Sequence, residues 1–236
     1  VTEVLVADVG PDAGPDVFET VLRAGRPVRV VHGCGAVQHH DVPRWLADAD
    51  PVDRRVLARC TGPIVDLGCG PGRLVARLVA DGIPALGVDV SPVAVGMTRA
   101  RGAAALRGDV LGPLPGEGLW SHALLMDGNI GIGGDPVRLL RRVRRLLAPG
   151  GAAVVEASPH DVDRRGPVRL QAHGCGPDPG GAVAGPFPWA EVGVTALLAL
   201  AAATRWCSAE HWADGGRRFV RLTAPGRRPR SRPSRG

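Results

Sequence analysis

The sequence predicts an α/β fold: a mostly parallel sheet of seven strands with an antiparallel last strand, helices on both faces and a helical cap at the N-terminus. Three observations predict it. From Pro63 onward, short apolar runs alternate with longer amphipathic ones. The stretch Val65-Asp66-Leu67-Gly68-Cys69-Gly70-Pro71-Gly72-Arg73-Leu74 reads as strand, tight glycine turn and helix. Two helix starts carry a cap residue followed by proline, at Ser91-Pro92 and Asp135-Pro136.

Residues 1–60 read as helical and peripheral, with Phe18–Leu22 and Trp45-Leu46 as apolar anchors broken by Pro27, Pro43 and Pro51. Ile64–Leu67 is the first strand. Gly72–Ala80 is its helix, with Leu74, Val75, Leu78 and Val79 on one face and Arg73, Arg77 and Asp81 outward. Ala85–Val90 is the second strand, followed by a helix from Ser91 to about Arg101. Ala104–Arg107 and Leu119–Met126 are the third and fourth strands. The helix from Asp135 to about Leu147 buries Leu139, Leu140, Val143 and Leu146 and turns its arginines to solvent. Ala148-Pro149-Gly150-Gly151 stops it, and Ala152–Ala157 is the fifth strand.

Residues 158–185 are rich in Gly and Pro, with one strand expected at Val168–Ala172. A buried helix is expected over Trp189–Ala203. The last two strands, Trp206–His211 and Phe219–Leu222, are joined by the hairpin signal Asp214-Gly215-Gly216. The domain organisation read from this is a cap or lid over 1–60, a core over 61–224 with a substrate-side insertion at 158–188, and a disordered basic tail at 225–236.

Composition narrows the function. The chain has 236 residues, 44% of them hydrophobic, which is enough for one sizeable core. All 29 basic residues are arginine, and glycine (34) and proline (22) are abundant, a bias that weakens arguments from charge. Net charge is +6, but Arg227, Arg228, Arg230, Arg232 and Arg235 supply most of it. The rest is nearly neutral, which argues against a broad nucleic-acid footprint. Three Phe and no Tyr leave few platforms for stacking bases. Five scattered cysteines without a Cys-x-x-Cys pair do not make a disulfide framework. Five acids in residues 1–20 and no apolar stretch after a basic start argue against a signal peptide. The longest apolar run, Val192–Ala203, is too short to span a bilayer. A cytoplasmic monomer or homodimer is the expectation.

The chemistry is carried by four stretches. In the first, the glycines of Gly68, Gly70 and Gly72 read Gly-x-Gly-x-Gly with Asp66 before them. A dinucleotide fingerprint needs glycine where Arg73 stands. In the second, Asp89 ends a strand, where a carboxylate can accept both hydroxyls of a ribose. The third is Gly108-Asp109-Val110, and the fourth is the glycine-rich run Asp127–Pro136 after the fourth strand. That edge of an open α/β sheet is where ligands bind.

Together these stretches resemble the motifs of class I S-adenosylmethionine-dependent methyltransferases over about residues 60–157. The chain as a whole looks like an actinobacterial-type group sharing the Asp-Gly-Asn-Ile-Gly-Ile-Gly-Gly-Asp-Pro loop. The resemblance implies a Rossmann-like sheet and S-adenosylmethionine as cofactor. It implies that Asp66, Gly68, Cys69, Gly70 and Gly72 hold the methionyl part. It places ribose at Asp89 and Val90, adenine at Gly108, Asp109 and Val110, and the methyl group beside Asp127, Gly128 and Asn129. Methyl transfer to a small-molecule acceptor, such as a secondary metabolite, is the implied reaction. A non-catalytic cofactor-binding protein and an RNA methyltransferase using the arginine tail stay open as alternatives.

Candidate catalytic residues are Asp127, Asn129, His39, His40 and His160, since a base is needed only if the acceptor must lose a proton near the transition state. The tetrapeptide His-Gly-Cys-Gly occurs at His32–Gly35 and His173–Gly176. Its one-residue spacing is shorter than zinc sites use, so no metal site is expected.

Overall fold

The computed structural model describes residues 17–172 and 186–226. It opens with helix α1 (Val17–Ala24), so the expected N-terminal helix is present. The reading of residues 1–60 lacked the hairpin that follows, β1 (Val28–His32) and β2 (Val37–His40). β1 alternates buried and half-buried residues, as a strand with one covered face must. Its turn closes with the Gly35 amide donating to the His32 carbonyl at 2.8 Å, and Gly35 has φ +84°. Helices α2 (Val42–Leu46) and α3 (Pro51–Leu57) follow. Asp41 caps α2 and Asp50 forms a capping box with Asp53 on α3, each with proline in the first turn.

The main sheet then builds outward from its centre. Strand β3 (Ile64–Leu67) leads through the glycine turn to α4 (Arg73–Ala80). β4 (Ala85–Asp89), α5 (Pro92–Ala100) and β5 (Ala105–Arg107) complete one half. β6 (Trp120–Leu125) is followed by a kinked 3-10 segment, Asn129–Gly134, then α6 (Pro136–Leu146) and the long β7 (Leu147–Ala157). β7 absorbs the Ala148–Gly151 turn that the sequence placed between helix and strand.

Residues 158–192 return to the hairpin. β8 (Asp163–Ala172) pairs antiparallel with β1, and β9 (Phe187–Val192) with β8. The order of this four-stranded sheet is β2-β1-β8-β9. The helix expected from Trp189 is thereby corrected. Residues 189–192 are strand, and α7 (Val194–Ala203) starts only after Gly193. Pairing with β8 outweighs local helix propensity there. A Cβ on Gly193 would lie 2.8 Å from the Val162 amide nitrogen, so only glycine fits this turn.

β10 (Ser208–Asp214) and β11 (Arg217–Thr223) form the closing hairpin. The seven-stranded order is β10-β11-β7-β6-β3-β4-β5, with β11 antiparallel to β7 and the central strands parallel. Alternation within strands divides the core. Val65, Leu67, Leu125, Val155 and Val220 pack against α6 and α7. Ile64, Leu124, Val154 and Phe219 pack against α3 and α4. Asp66, Glu156 and Arg217 share that second face by two-residue spacing, which gathers charge at its upper edge. Residues 227–236 of the expected tail and the second His-Gly-Cys-Gly tetrapeptide lie outside the described residues. Among the described residues, no helix is long and apolar enough to cross a membrane.

Candidate functional site

A cleft of about 190 Å³ opens where the loops after β3, β4, β5 and β6 converge. Gly68, Gly70 and Gly72 have φ of +74°, +53° and +79°, the left-handed region that other residues enter at a cost. The turn is pinned from behind. The Gly68 and Cys69 amides donate to the Val88 carbonyl at 2.8 and 3.1 Å. The Gly70 amide donates to one Asp89 carboxylate oxygen at 2.8 Å, and the Ser91 amide to the other at 2.9 Å. Thr98 Oγ1 donates to the Gly70 carbonyl at 2.9 Å.

The three glycines differ in what they leave room for. A Cβ on Gly72 would come within 2.7 Å of the Thr98 Cβ, and one on Gly68 within 2.7 Å of Asn129 Nδ2. A Cβ on Gly70 would meet nothing within 4 Å. The first two are required by the protein's own packing. Gly70 keeps a stretch of bare backbone open on the cleft.

Nine of the residues singled out in the sequence line this cleft. Gly68, Cys69 and Gly70 form one wall, Asp89, Val90, Asp109 and Val110 the next, and Asp127 and Asn129 the floor. Asp66, Gly72, Gly108 and Gly128 do not line it. Asp66 is buried beneath the turn, and burial pushes its carboxyl up to about 7 although Arg73 partly opposes this. Asp109 accepts from the Leu111 amide at 2.9 Å, an Asx turn that holds the loop after β5. Asn129 Nδ2 donates to the Leu67 and Gly68 carbonyls at 3.0 and 2.8 Å, tying the loop after β6 to the glycine turn.

A charged network under the floor was not read from the sequence. Arg73, placed outward by the helix pattern, is only 4% exposed. Its guanidinium donates to Asp53 Oδ2 at 2.9 Å and to Asp127 Oδ2 at 2.7 Å. Arg44 of α2 donates to the second Asp127 oxygen. Arg217 donates to both oxygens of Glu156 at 2.8 and 2.7 Å and to Asp53 at 2.7 Å. Glu156 in turn accepts from the Asp127 amide at 2.8 Å. Three carboxylates thus meet three guanidiniums. Burial opposes ionisation of Asp127, but Arg73 and Arg44 outweigh it and hold its carboxyl below the usual range. A carboxylate so paired is a poor proton acceptor. Asp127 also has φ +56°, a strained backbone fixed by these contacts. The one available sequence signal was a pair of charges, Glu156 and Arg217, in or beside otherwise apolar strands.

The histidines separate. His40 is buried, its ring edge-on to Trp45 at 5.5 Å and to Trp189 at 6.3 Å between centroids. Burial pushes it down to about 4 despite Asp127 and Glu191 nearby. His39 is exposed on β2, facing a second cavity beside His40. His160 is exposed beyond β7 and lines neither space. The small sheet and α1 and α2 roof the cleft through Leu22, Trp45, Phe187, Pro188 and Trp189. Among the described residues, no group of three His, Cys, Asp or Glu is arranged to hold a metal ion.

Residues 64–151 match the family model described as "Methyltransferase domain". This stretch resembles methyltransferase domains. Its seven-stranded sheet, with β11 reversed, has the fold of class I methyltransferases. A S-adenosylmethionine-dependent methyltransferase from Bacteroides fragilis superposes with TM-score 0.67 and 23% identity, covering 89% of this chain and 92% of that one. A sugar N-methyltransferase from Streptoalloteichus gives 0.57 and 20% identity, over 95% of this chain and 99% of that one. The 1,6-didemethyltoxoflavin-N1-methyltransferase of Burkholderia thailandensis gives 0.55 and 18% identity, over 92% and 93%. No curated protein sequence matches the chain. These three structures match the chain over most of its length.

Proposed function

We propose that this protein is a cytoplasmic enzyme that transfers a methyl group from S-adenosylmethionine to a small-molecule acceptor. The observation that carries this reading is Gly70: bare backbone with positive φ, facing the cleft, its amide tied to the strand-end acid Asp89. A nucleoside ligand needs such a close approach with a carboxylate beside it. The Bacteroides fragilis structure is described as a complex with S-adenosylhomocysteine, and the Burkholderia one as holding S-adenosylhomocysteine with its acceptor.

In this reading Gly68, Cys69 and Gly70 border the methionyl part, with Asp66 and Gly72 behind them. Asp89 and Val90 meet the ribose, and Asp109 and Val110, next to Gly108, meet the adenine. Asp127, Gly128 and Asn129 form the edge beside the methyl group. When bound, S-adenosylmethionine would supply an activated methyl group on a sulfonium, for which the acceptor provides the electron pair and sulfur the leaving group. The residues of this chain contribute position and water exclusion more than proton transfer. Paired Asp127 and neutral His40 are weak bases at neutral pH, His160 lines neither space, and exposed His39 faces the second cavity rather than the cofactor cleft. The acceptor's proton, where it has one to lose, goes to solvent. The small sheet and α2 close the acceptor side.

The test is turnover of labelled S-adenosylmethionine on a panel of amine, hydroxyl and carbon nucleophiles, with tRNA and rRNA as separate arms. Label transfer to a small molecule supports the reading. Transfer to RNA alone, or cofactor binding without any transfer, rejects it.

A further inference from the structure

The end of the molecule opposite the cleft carries charge that no acid answers. The cleft opens where β3 to β6 end; the far end holds the starts of β6 and β7, the C-terminus of α6 and the last residues of β11. Arg138, Arg141 and Arg145 form the exposed face of α6, and Arg205 is exposed in the turn after α7. Arg144 ties that turn to α6 by donating to the Thr204 and Arg205 carbonyls at 2.9 and 3.0 Å. Among the described residues, these four exposed arginines make no ion pair, and Glu117, which feels the charge of Arg145, is already held by Arg142 at 2.6 Å.

Two further features lie at this end. Leu119 is 71% exposed, more than any other large apolar side chain among the described residues. The amide of its neighbour Gly118 donates to the carbonyl of Leu146, the last residue of α6, at 3.0 Å. The backbone also passes out here: the Gly150 amide donates to the Pro225 carbonyl at 3.1 Å. Residues 227–236, which follow directly, carry five arginines and no acid.

We infer that this end of the protein docks on an anionic lipid surface. The inference goes beyond methyl transfer and does not depend on it. Phosphate headgroups attract clustered arginines, each one near the surface adding about fivefold to the binding constant. An apolar group that enters the boundary between headgroups and acyl chains adds a contribution that salt does not screen. Leu119, beside the basic end of α6, supplies that group. A second copy of the chain would set arginine against arginine. An RNA strand would satisfy the arginines but leave Leu119 without an apolar partner, since leucine offers a base no ring to stack on. Docking by this end points the cofactor cleft away from the membrane.

The test is cosedimentation of the full chain with vesicles of phosphatidylcholine, or of an equal mixture of phosphatidylcholine and phosphatidylglycerol, at low and high salt. Poly(U) RNA is a separate arm. Binding is expected to the mixed vesicles and not to the neutral ones, and to weaken as salt rises. Arg145→Ser is expected to weaken it about fivefold and Leu119→Ser about tenfold. Both side chains are exposed, so thermal unfolding is expected to show both variants as stable as the wild type. No binding to the mixed vesicles, equal binding to both kinds, or either variant binding as tightly as the wild type overturns the inference. Binding of poly(U) in place of the anionic vesicles overturns it in favour of nucleic acid.

Discussion

Arg73 and Asp127 are joined through two contacts, Nη1 to Oδ2 at 2.7 Å and Nη2 to Oδ1 at 3.2 Å, beneath the floor of the cleft. One residue opens the helix after the glycine turn and the other follows the neighbouring strand. Their pairing fixes the spacing of the two loops that meet at the candidate reaction centre. Arg44 of α2 reaches the same carboxylate.

Removing Arg73 takes a guanidinium from both Asp53 and Asp127, leaving Asp53 to Arg217 and Asp127 to Arg44 in a buried space. Arg73→Ala is expected to cost about 3–5 kcal/mol in urea unfolding, as loss of one partner of a buried pair does. Arg77→Ala breaks only the exposed Arg77–Asp81 pair and is expected to cost under about 1 kcal/mol. Equal costs would mean that the Arg73 network adds nothing beyond surface pairing.

Asp53 is fully buried, and Arg73 and Arg217 bring its carboxyl down to about 2 against the cost of burial. A depressed carboxyl stabilises the fold above its unfolded value near 4 and loses that contribution as pH falls toward 2. The loss is about 2 kcal/mol. Asp53→Asn is expected to flatten stability over that window, measured by chemical unfolding at each pH.

Asp66 and His40 oppose each other between pH 4 and 6.5. Buried Asp66, at about 7, stays protonated when folded while the unfolded chain ionises, so stability rises as pH falls through this range. Buried His40, at about 4, stays neutral while the unfolded chain protonates, so stability falls. The wild type is expected to be nearly flat there. Asp66→Asn is expected to lose stability on acidification, and His40→Phe to gain it.

Gly72 and Gly70 separate packing from binding. Gly72→Ala drives a Cβ against Thr98 in a left-handed backbone and is expected to lower thermal stability by several degrees. Gly70→Ala meets open space, so its cost is the backbone strain alone, about 1–2 kcal/mol. A Gly70→Ala protein less stable than Gly72→Ala would contradict this division.

What was legible in the sequence is what local chemistry dictates. The turn Gly68–Gly72, Asp89 and Asp109 sit where strand ends and glycines must place them. Ser91 and Asp135 cap helices as expected. What was not legible depends on distant pairing. β1 becomes a strand because Val28–His32 meets Val168–Ala172, more than a hundred residues away. Trp189 sits in a strand for the same reason, across from Gly166. Arg73 lies at a helix start where periodicity says little, and Asp53 and Asp127 draw it inward. The part of the roof made by Phe187, Pro188 and Trp189 follows from that second sheet.

The central claim is that bare backbone at Gly70 admits a nucleoside cofactor. Calorimetric titration of S-adenosylhomocysteine into the wild type and Gly70→Val, with thermal unfolding to show that both are folded, tests it most directly. The expected result is one-to-one binding to the wild type and none to the variant. Equal binding to both, or no binding to the wild type, would contradict it.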